Sequence, residues 1–317
     1  MKAEIKPRID FEGRTRLETV IPLSTPYLVF LDPSDLCNFH CSFCPTGNKK
    51  LINRVRKSQL MPFGLFQKII DDLCTMPEPI KTLRLYKDGE ALLNPDFPNM
   101  VKYAKLTGRF GQVDVTTNGS LLRPLLNNQI INAGLDKIFI SVPVDYSLAY
   151  IKNIKHFYEN SRGKCEVYVK IIGEGMKEAS KIKFMSDFGD ISDRIFIENL
   201  VSCFPEYEVE KANQTTGIYG NDLTQVEVCS YLFYSLSINS NGTVSACFLD
   251  WSRKLILGDL NKDKFTDIWN GKALRDLRIA HLTWKRSSLE VCRDCRQLQF
   301  GAPDLIDEYA DMILERI

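Results

Sequence analysis

The order of apolar runs predicts an α/β fold: a partial, TIM-like (β/α)6 barrel followed by a small C-terminal α+β domain. Three observations carry this expectation. Six strand-like runs alternate with amphipathic stretches, polar residues recur on one face of successive strands, and seven of the ten cysteines fall into two groups beside such runs. Strand alternating with helix implies parallel strands joined by right-handed crossovers. Six units fall short of the eight that close a barrel, so the sheet is expected to stay open and curved.

Residues 1–26 are charged and carry Pro7, Pro22 and Pro26, which reads as an irregular leader with a short edge strand. The strands expected next are 27–32, 80–87, 112–117, 136–142, 165–172 and 193–199, all rich in Val, Ile, Phe and Tyr. Between them, 63–75, 97–106, 121–133, 147–160 and 176–188 place apolar residues near helical spacing. After Pro205 the composition shifts. Residues 206–228 are rich in Glu, Asn, Thr and Gly, as linkers are. Runs 232–239 and 243–248, joined across Ser240, Asn241 and Gly242, read as a hairpin, and 264–280 and 303–316 as helices. The expected divisions are a leader at 1–26, a barrel at 27–205 and a C-terminal domain at 206–317.

Composition narrows the function classes. Over 317 residues, 41 Lys and Arg stand against 40 Asp and Glu, so bulk charge draws the chain to neither nucleic acid nor an anionic membrane. No apolar stretch approaches the length of a membrane span, and the opening MKAEIKPRIDFEGRTR is too charged for a secretory leader. A cytoplasmic location is expected, and there tightly spaced thiols are more often metal ligands than disulfides.

A parallel strand buried on both sides reads apolar throughout. Here Thr82, Arg84 and Tyr86 share one face of their strand, as do Asp114, Thr116 and Asn118, then Glu166, Tyr168 and Lys170, then Arg194 and Glu198. Repetition on successive strands suggests a wet, functional lumen, with ligand chemistry at the C-terminal strand ends.

Cys37-Asn-Phe-His-Cys41-Ser-Phe-Cys44 follows the first barrel strand. Three thiolates on one loop would leave one iron of a four-iron cluster open, whereas structural metal sites close their shell with four ligands. A zinc reading needs His40 as the fourth ligand, in a spacing unlike a finger or ribbon. Cys229, Cys247 and the pair Cys292-Arg-Asp-Cys295 can close a second site around zinc or an iron-sulfur cluster. Cys74 and Cys165 read as small buried residues. His40, His156 and His281 form no motif.

The CNFHCSFC loop after a first strand, within a six-unit βα pattern, resembles the radical S-adenosylmethionine superfamily over roughly residues 27–203. The resemblance implies that Cys37, Cys41 and Cys44 bind a 4Fe-4S cluster whose open iron chelates S-adenosylmethionine, with Phe43 against the adenine. Tyr86-Lys87-Asp88-Gly89-Glu90 is similar to the segment that holds the methionine ammonium. Gly89 and Glu90 carry over, while Asp88 stands where many relatives have glycine. By the same likeness Asn118 lies near the cosubstrate and Ser141 contacts the ribose. Asn241-Gly242-Thr243-Val244-Ser245-Ala246-Cys247 resembles an element of the SPASM and twitch auxiliary-cluster domains. Cys229, Cys247, Cys292 and Cys295 would then hold a second 4Fe-4S cluster. This layout is similar to that of the butirosin-pathway dehydrogenase that oxidises an aminocyclitol alcohol.

The resemblance implies reductive cleavage of S-adenosylmethionine and abstraction of a substrate hydrogen, with an electron donor such as flavodoxin or ferredoxin. Dehydrogenation of a sugar, cyclitol or nucleotide-linked sugar is the first expectation, with the auxiliary cluster accepting the electron. Lys170, Glu166, Tyr168 and Glu198 are its candidate bases or hydroxyl anchors, with Lys170 and Glu198 placed among the catalytic residues. The alternatives are an epimerase in which Cys203 delivers a hydrogen atom, a peptide-modifying maturase, and a zinc-stabilised binding module without catalysis.

Overall fold

The computed structural model describes residues 1–317. Ten strands form one sheet: β1 (Glu4–Ile5), β2 (Leu28–Leu31), β3 (Ile80–Arg84), β4 (Phe110–Thr117), β5 (Lys137–Ser141), β6 (Glu166–Ile172), β7 (Arg194–Glu198), β8 (Ser235–Ile238), β9 (Thr243–Ser245) and β10 (Ile256–Asp259). Their order is β1-β7-β6-β5-β4-β3-β2-β8-β9-β10. The six expected barrel strands are β2 to β7, and all pair in parallel. Two further parallel strands flank them, β1 against β7 and β8 against β2. The leader's edge strand therefore extends the barrel.

The period-2 pattern sorts the side chains as expected. Val29, Leu31, Leu83, Leu85, Val113, Val115, Ile138, Ile140, Val167 and Val169 all join the main core beneath the helices. In the helix Phe63–Leu73, Phe66, Ile69, Ile70 and Leu73 are buried, the spacing that one helical face allows. Ser147 caps Leu148–Ser161 by accepting from the Tyr150 amide at 3.2 Å. Gly134 ends Pro124–Ala133 at φ +87°, where a β-carbon would be strained.

Three expectations need correction. The run 232–239 is not all strand: Tyr231–Tyr234 is a helical turn, and β8 pairs with both β2 and β9. The 264–280 stretch is interrupted at Asn270 and Gly271, giving helices Phe265–Trp269 and Lys272–Leu282. Within 303–316 only Ala310–Leu314 is α-helical, after a short 3₁₀ turn.

Residues 206–228 have linker composition but act as a cover. Tyr207 Oη donates to the Ser42 carbonyl at 2.8 Å, and Ile218 exchanges backbone hydrogen bonds with Asn199 and Phe300 at 2.9 and 2.8 Å. The leader also crosses to the C-terminal segment. Arg14 pairs with Asp304 at 3.0 Å and donates to the Ala302 carbonyl at 2.9 Å. No helix is long and apolar enough to cross a membrane.

Candidate functional site

The first cysteine loop leaves the C-terminal end of β2, where parallel strands present ligand-binding loops. It is held by its own backbone. Cys44 N–H donates to the Cys41 carbonyl at 3.2 Å, Lys49 Nζ to the Cys37 carbonyl at 2.9 Å, and the Phe39 amide to Cys37 Sγ at 3.4 Å. Phe43 is half-buried beside Cys44. Burial and the neighbouring Cys44 and Cys37 push the Cys41 thiol up to about 11, so the three sulfurs sit close enough to oppose one another's ionisation.

The segment after β3 closes on this loop. A β-carbon on Gly89 would run into the carbonyls of Ser34 and Leu36, so only glycine lets the two backbones meet here. Glu90 is 2% exposed and ties three loops together. Its amide donates to the Leu36 carbonyl at 2.8 Å, while its carboxylate accepts from Leu92 N at 3.0 Å, Thr117 Oγ1 at 2.7 Å and Asn118 N at 2.7 Å. Of the four lone-pair positions on a carboxylate, one remains for a ligand. Asn118 Nδ2 donates to Asn38 Oδ1 of the cysteine loop at 2.9 Å. Ser141 ends β5 opposite Lys170.

Asp88 belongs to a buried ion network that sequence reading did not foresee. Its Oδ2 lies 2.9 Å from both Arg56 Nη1 and Lys87 Nζ, while Asp35 lies 3.7 Å from Arg56 Nε and 2.5 Å from Arg253 Nη2. Lys87 also donates to the Asp250 carbonyl at 3.2 Å, so the network joins the first loop to the C-terminal segment. Burial, then the charge of Asp88, pushes Asp32 up to about 8. Asp88→Ala should lower stability by about 3 kcal/mol, because it removes the paired carboxylate of buried Lys87 and leaves buried Arg56 only the more distant Asp35. Urea unfolding of the anaerobically purified protein checks this, and wild-type stability would refute it.

The second group forms around the β8–β9 hairpin. Cys229 precedes it and its amide donates to His281 Nδ1 at 3.2 Å, a role for His281 that no motif announced. Cys247 follows β9, and its Sγ accepts from the Leu249 amide at 3.3 Å. Burial and the nearby Cys295 raise Cys229, Cys247 and Cys292, the last to about 12. Cys203 is 7% exposed and packs with Leu249 and Phe300, beside Cys247 and Cys295. Burial raises its thiol strongly.

All ten cysteines are free. No three metal-ligating side chains are gathered around the position of a single ion, and His40 Nδ1 faces the Gly47 carbonyl at 3.2 Å instead. Amide N–H groups aimed at Cys37 and Cys247 fit thiolates that ligate an iron-sulfur cluster.

Between the two groups lies the barrel lumen. Lys170 and Glu198 form an ion pair with each other, which leaves Glu198 Oε1 buried without a hydrogen-bond partner. Asp114 Oδ1 and Tyr168 Oη are likewise unpartnered. Two lumen residues escaped the sequence reading. Arg8 lies over the rings of Phe139 and Tyr86 at 4.2 and 5.0 Å, and Tyr219, from the 206–228 cover, packs on Phe196 at 6.4 Å. Neither sits in a periodic run, so no pattern marked them. A cavity of about 970 Å³ has Tyr207 on one wall, bonded to the first cysteine loop, and Cys295 on another.

Residues 229–296 match the SPASM family model, described as an iron-sulfur cluster-binding domain, and this span holds all four cysteines of the second group. The GTP 3',8-cyclase of Nostoc sp. (strain PCC 7120) is 32% identical over 109 residues, 34% of this chain and 32% of that protein. The tungsten-containing aldehyde ferredoxin oxidoreductase cofactor-modifying protein of Pyrococcus furiosus is 28% identical over 116 residues, 37% of this chain and 30% of that protein. The chain thus spans about a third of the length of these curated relatives. Among solved structures, BtrN in complex with AdoMet and 2-DOIA aligns with a TM-score of 0.57 at 16% identity, covering 87% of this chain and 97% of that one. The anSMEcpe structure with bound AdoMet gives 0.59 at 11% identity, covering 92% and 93%. Streptococcus suis SuiB bound to precursor peptide SuiA gives 0.57 at 15% identity, covering 95% and 75%. At these identities the structures speak to the fold.

Proposed function

We propose that this chain, which has the radical S-adenosylmethionine fold and a C-terminal SPASM iron-sulfur domain, dehydrogenates an alcohol carbon of a sugar, cyclitol or nucleotide-linked sugar. Its cofactors are S-adenosylmethionine and 4Fe-4S clusters, one held by Cys37, Cys41 and Cys44 and an auxiliary one by Cys229, Cys247, Cys292 and Cys295. When bound, these groups supply reductive sulfonium cleavage, hydrogen-atom abstraction and a one-electron acceptor. Everything else falls to the protein.

The supporting observation is a polar lumen with unpartnered acceptors between the two thiol groups. Glu198 Oε1 can accept the proton of a substrate hydroxyl while Lys170 holds Oε2 in place. Asp114 Oδ1 and Tyr168 Oη can orient further hydroxyls. Gly89, Glu90, Asn118, Ser141 and Phe43 would hold the cosubstrate at the strand ends. The lumen and the 206–228 cover exclude water from the reacting carbon. Cys203 is caged by Leu249 and Phe300 beside the auxiliary thiols, which favours dehydrogenation over thiol-mediated epimerisation. A flavodoxin or ferredoxin supplies the electron.

The test is product analysis in heavy water with dithionite, S-adenosylmethionine and candidate sugars. A ketone, with 5′-deoxyadenosine free of solvent deuterium because its hydrogen comes from the substrate carbon, is the expected result. An unoxidised product carrying solvent deuterium would replace dehydrogenation by epimerisation through Cys203.

A further inference from the structure

Arg8 is a lumen residue supplied by the leader, and its chemistry is unspent. Its buried Nη2 has no hydrogen-bond partner. The guanidinium lies over the rings of Phe139 at 4.2 Å and Tyr86 at 5.0 Å, which holds it against two aromatic groups without neutralising it. Arg84, Asp114, Glu198 and Tyr219 are its charged and titratable neighbours. Asp114 is shared with Arg84, whose Nε lies 3.4 Å away but makes no hydrogen bond, and Glu198 is taken by Lys170. Arg8 Nη2 and Arg84 Nε are thus both buried without a hydrogen-bond partner. Arg84 lies over Phe30 at 5.6 Å, and Phe30 meets Tyr86 edge-on at 5.8 Å beneath Arg8, so one aromatic group carries two guanidinium ions that repel unless something negative joins them. The leader nevertheless holds Arg8 there, fixed by β1 on one side and the Arg14–Asp304 pair on the other.

We infer that Arg8 and Arg84 form an anion subsite in the lumen that receives a phosphate or carboxylate group of the substrate. Guanidinium groups bind such oxyanions through paired, charge-assisted hydrogen bonds. Asp114 Oδ1 and Glu198 Oε1 then accept hydroxyls of the same molecule, which makes the substrate an acidic or phosphate-bearing sugar rather than a neutral one. This rests on the lumen being the substrate site, as proposed above.

Isothermal titration calorimetry of the anaerobic holoenzyme with inorganic pyrophosphate, UDP-glucose, glucuronate and glucose tests the subsite. At least one acidic probe should bind more tightly than glucose. Pyrophosphate and UDP-glucose report a phosphate preference, and glucuronate a carboxylate preference. Arg8→Gln should weaken the acidic probe by about tenfold or more, with Arg8→Lys recovering part of it. Should Arg8→Gln misfold, wild-type protein alone suffices: the bound acidic probe should shield Arg8 from phenylglyoxal in peptide mapping. No preference for any acidic probe, or unchanged binding by Arg8→Gln together with unshielded Arg8, overturns the inference. The response of the first cluster's spectrum to S-adenosylmethionine is recorded on the same samples. A response with no role for Arg8 defeats only this inference, whereas no response defeats the reading beneath it.

Discussion

Replacing Cys37, Cys41 and Cys44 together by alanine should cut bound iron from about eight to about four per chain and abolish cleavage of S-adenosylmethionine. The fold should survive this change. The loop is only partly buried and is held by backbone hydrogen bonds, by Lys49 and by the close approach of Gly89, none of which uses a sulfur side chain apart from the Phe39 amide contact. Circular dichroism should match wild type while 5′-deoxyadenosine formation falls to background. Retention of all the iron would place both clusters elsewhere.

The complementary variant, with Cys229, Cys247, Cys292 and Cys295 all replaced by alanine, should also lose about four irons, but with a different phenotype. Cys229 and Cys247 lie where the chain enters and leaves the β8–β9 hairpin, and β8 is paired directly with β2 of the barrel. Metal binding to ligands brought together from distant segments contributes to folding itself, so this variant should also unfold at lower urea concentration. Cleavage of S-adenosylmethionine should persist while ketone formation is lost. Full substrate oxidation by this variant would remove the auxiliary cluster from the electron path.

Much of this was legible because the barrel strands keep an unbroken period of two. Alternation alone puts Arg84, Asp114, Tyr168, Lys170 and Glu198 on one strand face, and residues next to them such as Leu83, Val113, Val169 and Ile171 lie in the main core. Cysteine spacing marked the trio at 37, 41 and 44 and the pair at 292 and 295 for the same reason: short-range spacing survives folding. Long-range partnerships left no such trace. Asp88 meets Arg56, and Lys87 meets the Asp250 carbonyl, through contacts that no local pattern encodes. The parallel pairing of β8 with β2 depends on the whole intervening barrel. Arg8 and Tyr219 lie in segments without periodicity, and the polar composition of 206–228 suggested a tether where the chain needed a polar cover facing solvent.

The most direct measurement uses the variant lacking Cys229, Cys247, Cys292 and Cys295, reduced with dithionite under anaerobic conditions so that only the first cluster contributes to its electron paramagnetic resonance. Adding S-adenosylmethionine should change the spectrum, and a methionine label on its amino nitrogen should add hyperfine coupling from direct binding to iron. A spectrum indifferent to the cosubstrate, or a preparation containing zinc and no sulfide, would contradict the assignment of Cys37, Cys41 and Cys44.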